Sequence, residues 1–95
     1  MQGKEDRQRA QEAKFASDEE ARFKREMADV RAFGAWAAGT LGKGGEASGE
    51  IVNAFTDRML SGGKPAVLAH ALEILGHAAP EAEVRRRADS IGKGA

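Results

Sequence analysis

The pattern of apolar and polar positions changes at Ser17. Residues 4–16 are almost wholly polar, and Phe15 is the only large apolar residue between Met1 and Phe23. From Phe23 onward, apolar positions recur in alternating steps of four and three, which keeps them on one face of a helix. The sequence therefore predicts a polar N-terminal arm followed by a long amphipathic helix. The positions on that face are Phe23, Met27, Val30, Gly34, Ala37 and Leu41.

Capping residues mark both predicted ends of this helix. Ser17 and Glu20 form a capping box, in which the hydroxyl accepts one N–H of the first turn and the carboxylate reaches back to another. Gly42 suits the left-handed conformation that commonly follows a helix. We therefore expect the helix to span about residues 18–41.

The aromatic residues of the long helix are expected in the protein core. Phe33 and Trp36 widen the apolar stripe within residues 32–38. Gly34, which has no side chain, would let another helix approach closely. A core position is favoured for Trp36 over a role as a ligand platform.

Three shorter apolar stretches follow, and glycine or proline punctuates each of them. The second and third predicted helices end at glycine, and proline suits the first turn of the third and fourth. The period-two alternation that is typical of strands does not occur. The punctuating residues are Gly62, Gly63, Pro65, Gly76 and Pro80.

These patterns predict an all-α protein. Residues 17–95 are expected to form a four-helix bundle with short loops. Residues 1–16 are expected to be mobile in the free protein, because they offer too little apolar surface to offset the entropy of ordering. Their composition favours helix formation, so the arm could become helical in the groove of a partner.

Composition and charge exclude several classes of function. Fifteen acidic and fifteen basic residues cancel, so nothing favours binding to nucleic acid. The absence of cysteine excludes disulfides and thiolate metal sites. No apolar stretch is long enough to span a membrane, and no signal peptide precedes the polar start, so we expect a cytoplasmic protein that does not insert into membranes.

The glycine-rich stretch after the long helix does not match a phosphate-binding loop. With Gly42 and Lys43 as the glycine-lysine pair, the motif requires glycine where this chain has Ala37, and Ser or Thr where it has Gly44. A helix cap and turn is the favoured interpretation. Weak nucleotide binding near Lys43 and Lys64 stays open.

No other cluster predicts catalysis or metal binding. His70 and His77 share a helical face but are separated by two turns, about 10 Å, which is too far for one ion. Structural or solvated histidines are favoured, with a pH-sensitive contact as the alternative. The run of residues 85–87 is all arginine and fans around a helix, which is typical of a solvated surface. No nucleophile has a base at motif spacing, so we expect neither an enzyme nor a bound cofactor.

The first half of the chain resembles the zeta subunit family of bacterial F-type ATP synthases over about residues 6–42. The resemblance implies a four-helix protein whose mobile N-terminal segment enters the catalytic head of the synthase and blocks ATP hydrolysis by stopping rotation. It also implies weak adenine-nucleotide binding, for which no motif here assigns residues. The resemblance is carried by Asp6, Arg7, Ala10, residues 12–16, residues 18–20, Phe23, Gly34, residues 36–38, Leu41 and Gly42.

Roles follow from this resemblance position by position. It assigns Gly34, Trp36 and Leu41 to the bundle core. It assigns five residues to the inhibitory segment that would bind the partner. These are Asp6, Arg7, Glu12, Lys14 and Phe15.

Two stretches depart from the family pattern. Residues 28–31 read Ala-Asp-Val-Arg where the family carries a basic stretch, and residues 61–65 replace an acidic linker with Ser-Gly-Gly-Lys-Pro. These departures support an alternative function. The chain would then be a small helical adaptor or ligand-binding domain that has kept the fold but not the inhibition.

Overall fold

A computed structural model describes the backbone of residues 3–93 and the side chains of residues 19–93. Within this part of the chain it contains three helices, α1 (Gly3–Thr40), α2 (Gly45–Leu75) and α3 (Glu81–Asp89), and no strand. Helix α2 packs along α1, and α3 packs mainly against α2 and also touches α1. The predicted all-α class is confirmed.

The predicted four-helix bundle is wrong in its helix count, because three helices span the described residues. The second and third predicted helices are the two parts of α2, which is kinked at Gly63 (φ 73°, ψ −163°). This backbone region is essentially restricted to glycine. Helical geometry resumes directly after Gly63, so the glycine predicted to end a helix bends it instead, and no loop separates the two parts.

The start of α1 also differs from the prediction. The helix is assigned from Gly3 rather than from residue 18, so the Ser17–Glu20 pair is not its beginning. The residues before Ser17 are mostly good helix formers, and adding a residue to an existing helix costs far less than nucleating a new one. The side chain of Ser17 lies outside the described residues.

The other end of α1 is a Schellman motif, as the position of Gly42 predicts. Gly42 has φ 74°, and its N–H donates to the carbonyl of Gly39 at 3.0 Å, while the N–H of Lys43 donates to that of Ala38 at 2.8 Å. These bonds satisfy carbonyl groups that the helix end would leave unpaired. The motif turns the chain into α2.

The core lies between the second half of α1, α2 from Ile51 onward, and α3. Close approach of the first two helices depends on Gly34, where an added Cβ would lie 3.0 Å from Cα of Val52. The ring of Phe33 meets that of Phe55 edge to face, with 5.2 Å between ring centroids. The buried core residues are Val30, Phe33, Ala37, Phe55, Val67, Ala71, Leu75, Ala79, Val84, Ala88 and Ile91.

The C-terminal end of the described chain is fixed to α1. Ile91, just after α3, is almost completely buried. The N–H of Gly92 donates to the Asp29 carboxylate at 2.9 Å, so this hydrogen bond links positions far apart in the sequence. The C-terminal residues therefore help to close the core.

Candidate functional site

The residues assigned to the inhibitory segment lie on the first part of α1. The side chains of Asp6, Arg7, Glu12, Lys14 and Phe15 lie outside the described residues. Their proposed contacts therefore stay predictions. The structure does describe the part of α1 that joins this segment to the core.

In that connecting part of α1, every residue from 19 to 25 is exposed. Met27 is the first buried residue among the described side chains of α1. We call residues 19–25 the stalk. Because the stalk is exposed on every side, α1 carries the N-terminal segment away from the helices that form the core.

Phe23 is the one large apolar side chain of the stalk, and it is 53 % exposed. The prediction that Phe23 packs in the core is wrong, although Phe23 lies on the same face of α1 as Met27 and Val30. Periodicity identifies the face of a helix but not how far a neighbouring helix extends along it. Glu19, Glu20 and Lys24 surround Phe23 in a shallow depression.

Trp36 is half-buried rather than central in the core. Its ring lies 5.9 Å from that of Phe33 between centroids, and the guanidinium carbon of Arg87 lies 4.2 Å from the indole centroid. This is cation–π geometry. No sequence pattern predicted that Arg87 of α3 contacts this ring, because residues so far apart in the chain share no periodic pattern.

The arginine run behaves mainly as predicted. Arg85 pairs with Glu81 and Arg87 with Glu83, each at 3.3 Å and each four residues apart on α3. Exposed pairs of this kind contribute only about 0.3–0.5 kcal/mol. Arg86, which lies between these two arginines, has no ion-pair partner among the residues whose side chains are described.

His70 is half-buried on α2, and its Nδ1 atom is buried without a hydrogen-bond partner in the described part of the chain. Its ring meets that of Phe55 edge to face, with 5.4 Å between ring centroids. Burial lowers the pKa of His70, Arg58 lowers it further, and Glu73 acts in the opposite direction. His77 is exposed. The expectation of structural or solvated histidines fits both positions.

A groove between α3 and the second part of α2 combines positive charge with apolar surface. Lys64, directly after the kink, stands at its α2 side, and Arg85 and Arg86 stand on α3. We call it the α2–α3 groove. No sequence pattern indicated this groove, because Gly63 was predicted to end a helix rather than to form the kink after which Lys64 lies beside α3. Its apolar lining residues are Pro65, Leu68, Ala82 and Ala88.

Two further features concern ligands. Lys43 precedes α2 and Lys64 follows its kink, so the rise of the intervening helix separates them by about 27 Å. They therefore cannot share one nucleotide site. Among the described residues, no three potential metal-binding side chains come together. In the same part of the chain, no helix has the length and apolar character needed to cross a membrane.

Comparison with protein families gives one finding that covers the entire chain. The family model described as ATPase inhibitor subunit zeta matches residues 1–95. The match therefore includes the two stretches that depart from the expected family pattern. No significant match is found among curated proteins or solved structures.

Proposed function

Because the chain belongs to the ATPase inhibitor subunit zeta family, we propose that it inhibits ATP hydrolysis by inserting residues 1–16 into the catalytic head of an F-type ATP synthase. The match over residues 1–95 is the observation that carries this proposal. The proposed role is regulatory, and the proposed location is the cytoplasm.

The geometry of α1 supports an inserted segment. Within residues 19–40 of α1, the first buried residue is Met27, and the stalk of residues 19–25 is exposed. Along a helix, the stalk alone adds about 10 Å between the N-terminal segment and the core. A partner could therefore surround the segment without contacting the packed helices.

In this proposal the inhibitory segment is mobile in the free protein and becomes a stable helix in the partner. Phe15 supplies its main apolar contact. The charged contacts come from Asp6, Arg7, Glu12 and Lys14, and their partner residues on the head are not assigned. Weak adenine-nucleotide binding stays an expectation without assigned residues.

The proposal is tested by assaying ATP hydrolysis by the catalytic head of the cognate synthase. The intact chain should inhibit, and a chain lacking residues 1–16 should lose inhibition while its remaining helices stay folded, as measured by circular dichroism. A head that hydrolyses ATP equally well with and without the intact protein would contradict the proposal. It would favour the adaptor or ligand-binding alternative.

Two substitutions test the contacts of the segment. Burying Phe15 should contribute about 1.5–3 kcal/mol, so Phe15→Ala should weaken inhibition roughly ten- to hundredfold. Ala10→Pro should also weaken it, because proline within a helix costs about 3 kcal/mol. Full potency of the Ala10→Pro variant would show that the segment binds in an extended form. Full potency of Phe15→Ala would remove Phe15 as the anchor.

A further inference from the structure

The α2–α3 groove has two positive groups that form no ion pair with any acidic side chain in the described part of the chain. Lys64 and Arg86 have no ion-pair partner within residues 19–93, whereas Arg85 is paired with Glu81. The one acidic residue that lines the groove, Asp89, is paired with Lys93 at 3.1 Å. The groove thus combines uncompensated positive charge with the apolar surface of Pro65 and Leu68 and their neighbours.

The stalk has the complementary chemistry on one face. At about 100° per residue, Glu19 and Glu20 lie within about 60° of Phe23 around the helix, whereas Arg25 lies on the opposite side. All four side chains are exposed, and none forms an ion pair with another described residue. The stalk therefore presents an apolar ring flanked by two free carboxylates, with Lys24 at the edge of the same depression.

We propose that the α2–α3 groove of one copy of this protein binds the Glu19–Glu20–Phe23 face of a second copy. Phe23 packs against Pro65 and Leu68, and the two carboxylates lie beside Lys64 and Arg86. This proposal concerns self-association and does not depend on ATP synthase inhibition.

The occupant is a second copy because the stalk cannot reach the groove of its own chain. Phe23 and Met27 belong to one continuous helix, and Met27 is held in the core. Folding back would require α1 to break between them. Two copies can instead exchange stalks reciprocally, so that each groove is filled and the pair closes around a two-fold axis.

Phe23 is the main source of affinity in this pairing. Exposed ion pairs contribute little and are screened by salt, whereas burying a half-exposed phenylalanine ring removes substantial apolar surface from water. The charges chiefly select the partner face and its orientation. The pairing occupies the Phe23 face, so any other protein that binds this face competes with self-association.

Sedimentation velocity of the full chain, from micromolar to millimolar concentration at low and high salt, measures this association. The protein should dimerise with rising concentration and more weakly at high salt. Phe23→Ala should raise the dissociation constant roughly tenfold or more. A protein that stays monomeric over the whole range would overturn the proposal.

Charge reversal identifies the two faces. One double variant, Lys64→Glu/Arg86→Glu, reverses the charge of the groove, and another, Glu19→Lys/Glu20→Lys, reverses the charge of the stalk. Each should be monomeric alone, because its groove and its stalk then carry like charges. Mixed in equal amounts they should dimerise again, since each groove then meets a stalk of opposite charge. Arg25→Glu is the matched control and should dimerise as the parent does.

Circular dichroism confirms that each variant is folded before it is compared. Unchanged dimerisation of either reversed variant would overturn the assignment of its face. Folded monomeric variants that fail to associate when mixed would show that these two faces do not pair with each other.

Discussion

At the scale of single residues, Gly34 allows the backbones of α1 and α2 to pack in direct contact. A Cβ at this position would lie 3.0 Å from Cα of Val52, and backbone atoms cannot move aside as a flexible side chain can. Gly39 lies on the same helix, and a Cβ there would meet nothing within 4 Å. The two glycines therefore separate the effect of helix propensity from that of packing.

We expect Gly34→Ala to lower the free energy of unfolding by about 1–3 kcal/mol, the usual effect of overpacking a core. Gly39→Ala should raise it by about 0.5–1 kcal/mol, because alanine is the better helix former. Urea denaturation followed by circular dichroism measures both. Similar stabilisation by the two substitutions would show that α1 and α2 are not in close contact at Gly34.

His70 links the core to pH. Its pKa is lowered in the folded protein, chiefly by burial, so protonation favours the unfolded chain. The resulting penalty is absent well above the ordinary histidine pKa of about 6.5 and develops as the pH falls below it. The free energy of unfolding should therefore decrease as the pH is lowered from 7 to 5, in part because of His70.

We expect His70→Gln to weaken the pH dependence of the free energy of unfolding between pH 7 and 5. His77→Gln is the matched control, since His77 is exposed, and it should keep the parent's profile. Denaturation midpoints measured across that pH range make the comparison. If His70→Gln retains the full pH dependence of the parent, another group is responsible.

At the scale of helices, local chemistry allowed three boundaries to be predicted. Gly42 and Gly76 have positive φ at the ends of α1 and α2, and Pro80 directly precedes α3. Each depends on a residue whose backbone is unusually free or unusually restricted. The sequence alone is enough for such positions, because the cause lies within a few residues.

Other features of the helices depend on distant residues and could not be predicted. Gly63 is a kink rather than an end, and the part of α2 that follows it contributes Val67, Ala71 and Leu75 to the core. Phe23 is exposed although it lies on the same face of α1 as the buried Met27, and Trp36 is half-buried with Arg87 over its ring. A periodic pattern contains no information about where a neighbouring helix stops or which side chain crosses to an indole ring.

The candidate site also contains one feature that was inferred from local sequence and one that depends on distant residues. The inhibitory segment was inferred from a motif resemblance within one local stretch of sequence, and its role and its contacts stay predictions. The α2–α3 groove, in contrast, brings Lys64 beside Arg86 only after α2 bends and α3 packs against it. Residues so far apart in the sequence have no common pattern from which their proximity could be inferred.

At the scale of the whole molecule, the two ends of the chain differ in their contribution to stability. Met27 is the first buried residue among the described side chains of α1, whereas Ile91 is buried close to the C-terminus. The hydrogen bond from Gly92 to Asp29 fixes this end to α1. Stability should therefore depend on the C-terminal residues and hardly at all on residues 1–16.

We expect deletion of residues 1–16 to change the free energy of unfolding by no more than about 0.5 kcal/mol, as surface changes usually do. Ile91→Ala, which removes buried apolar atoms and leaves a cavity, should cost about 2–5 kcal/mol. Urea denaturation followed by circular dichroism tests both variants against the parent. A large loss of stability on deletion would mean that the N-terminal segment packs against the core in the free protein, and the segment would then have to detach before it could enter a partner. A small loss for Ile91→Ala would mean that the C-terminal end is not part of the core.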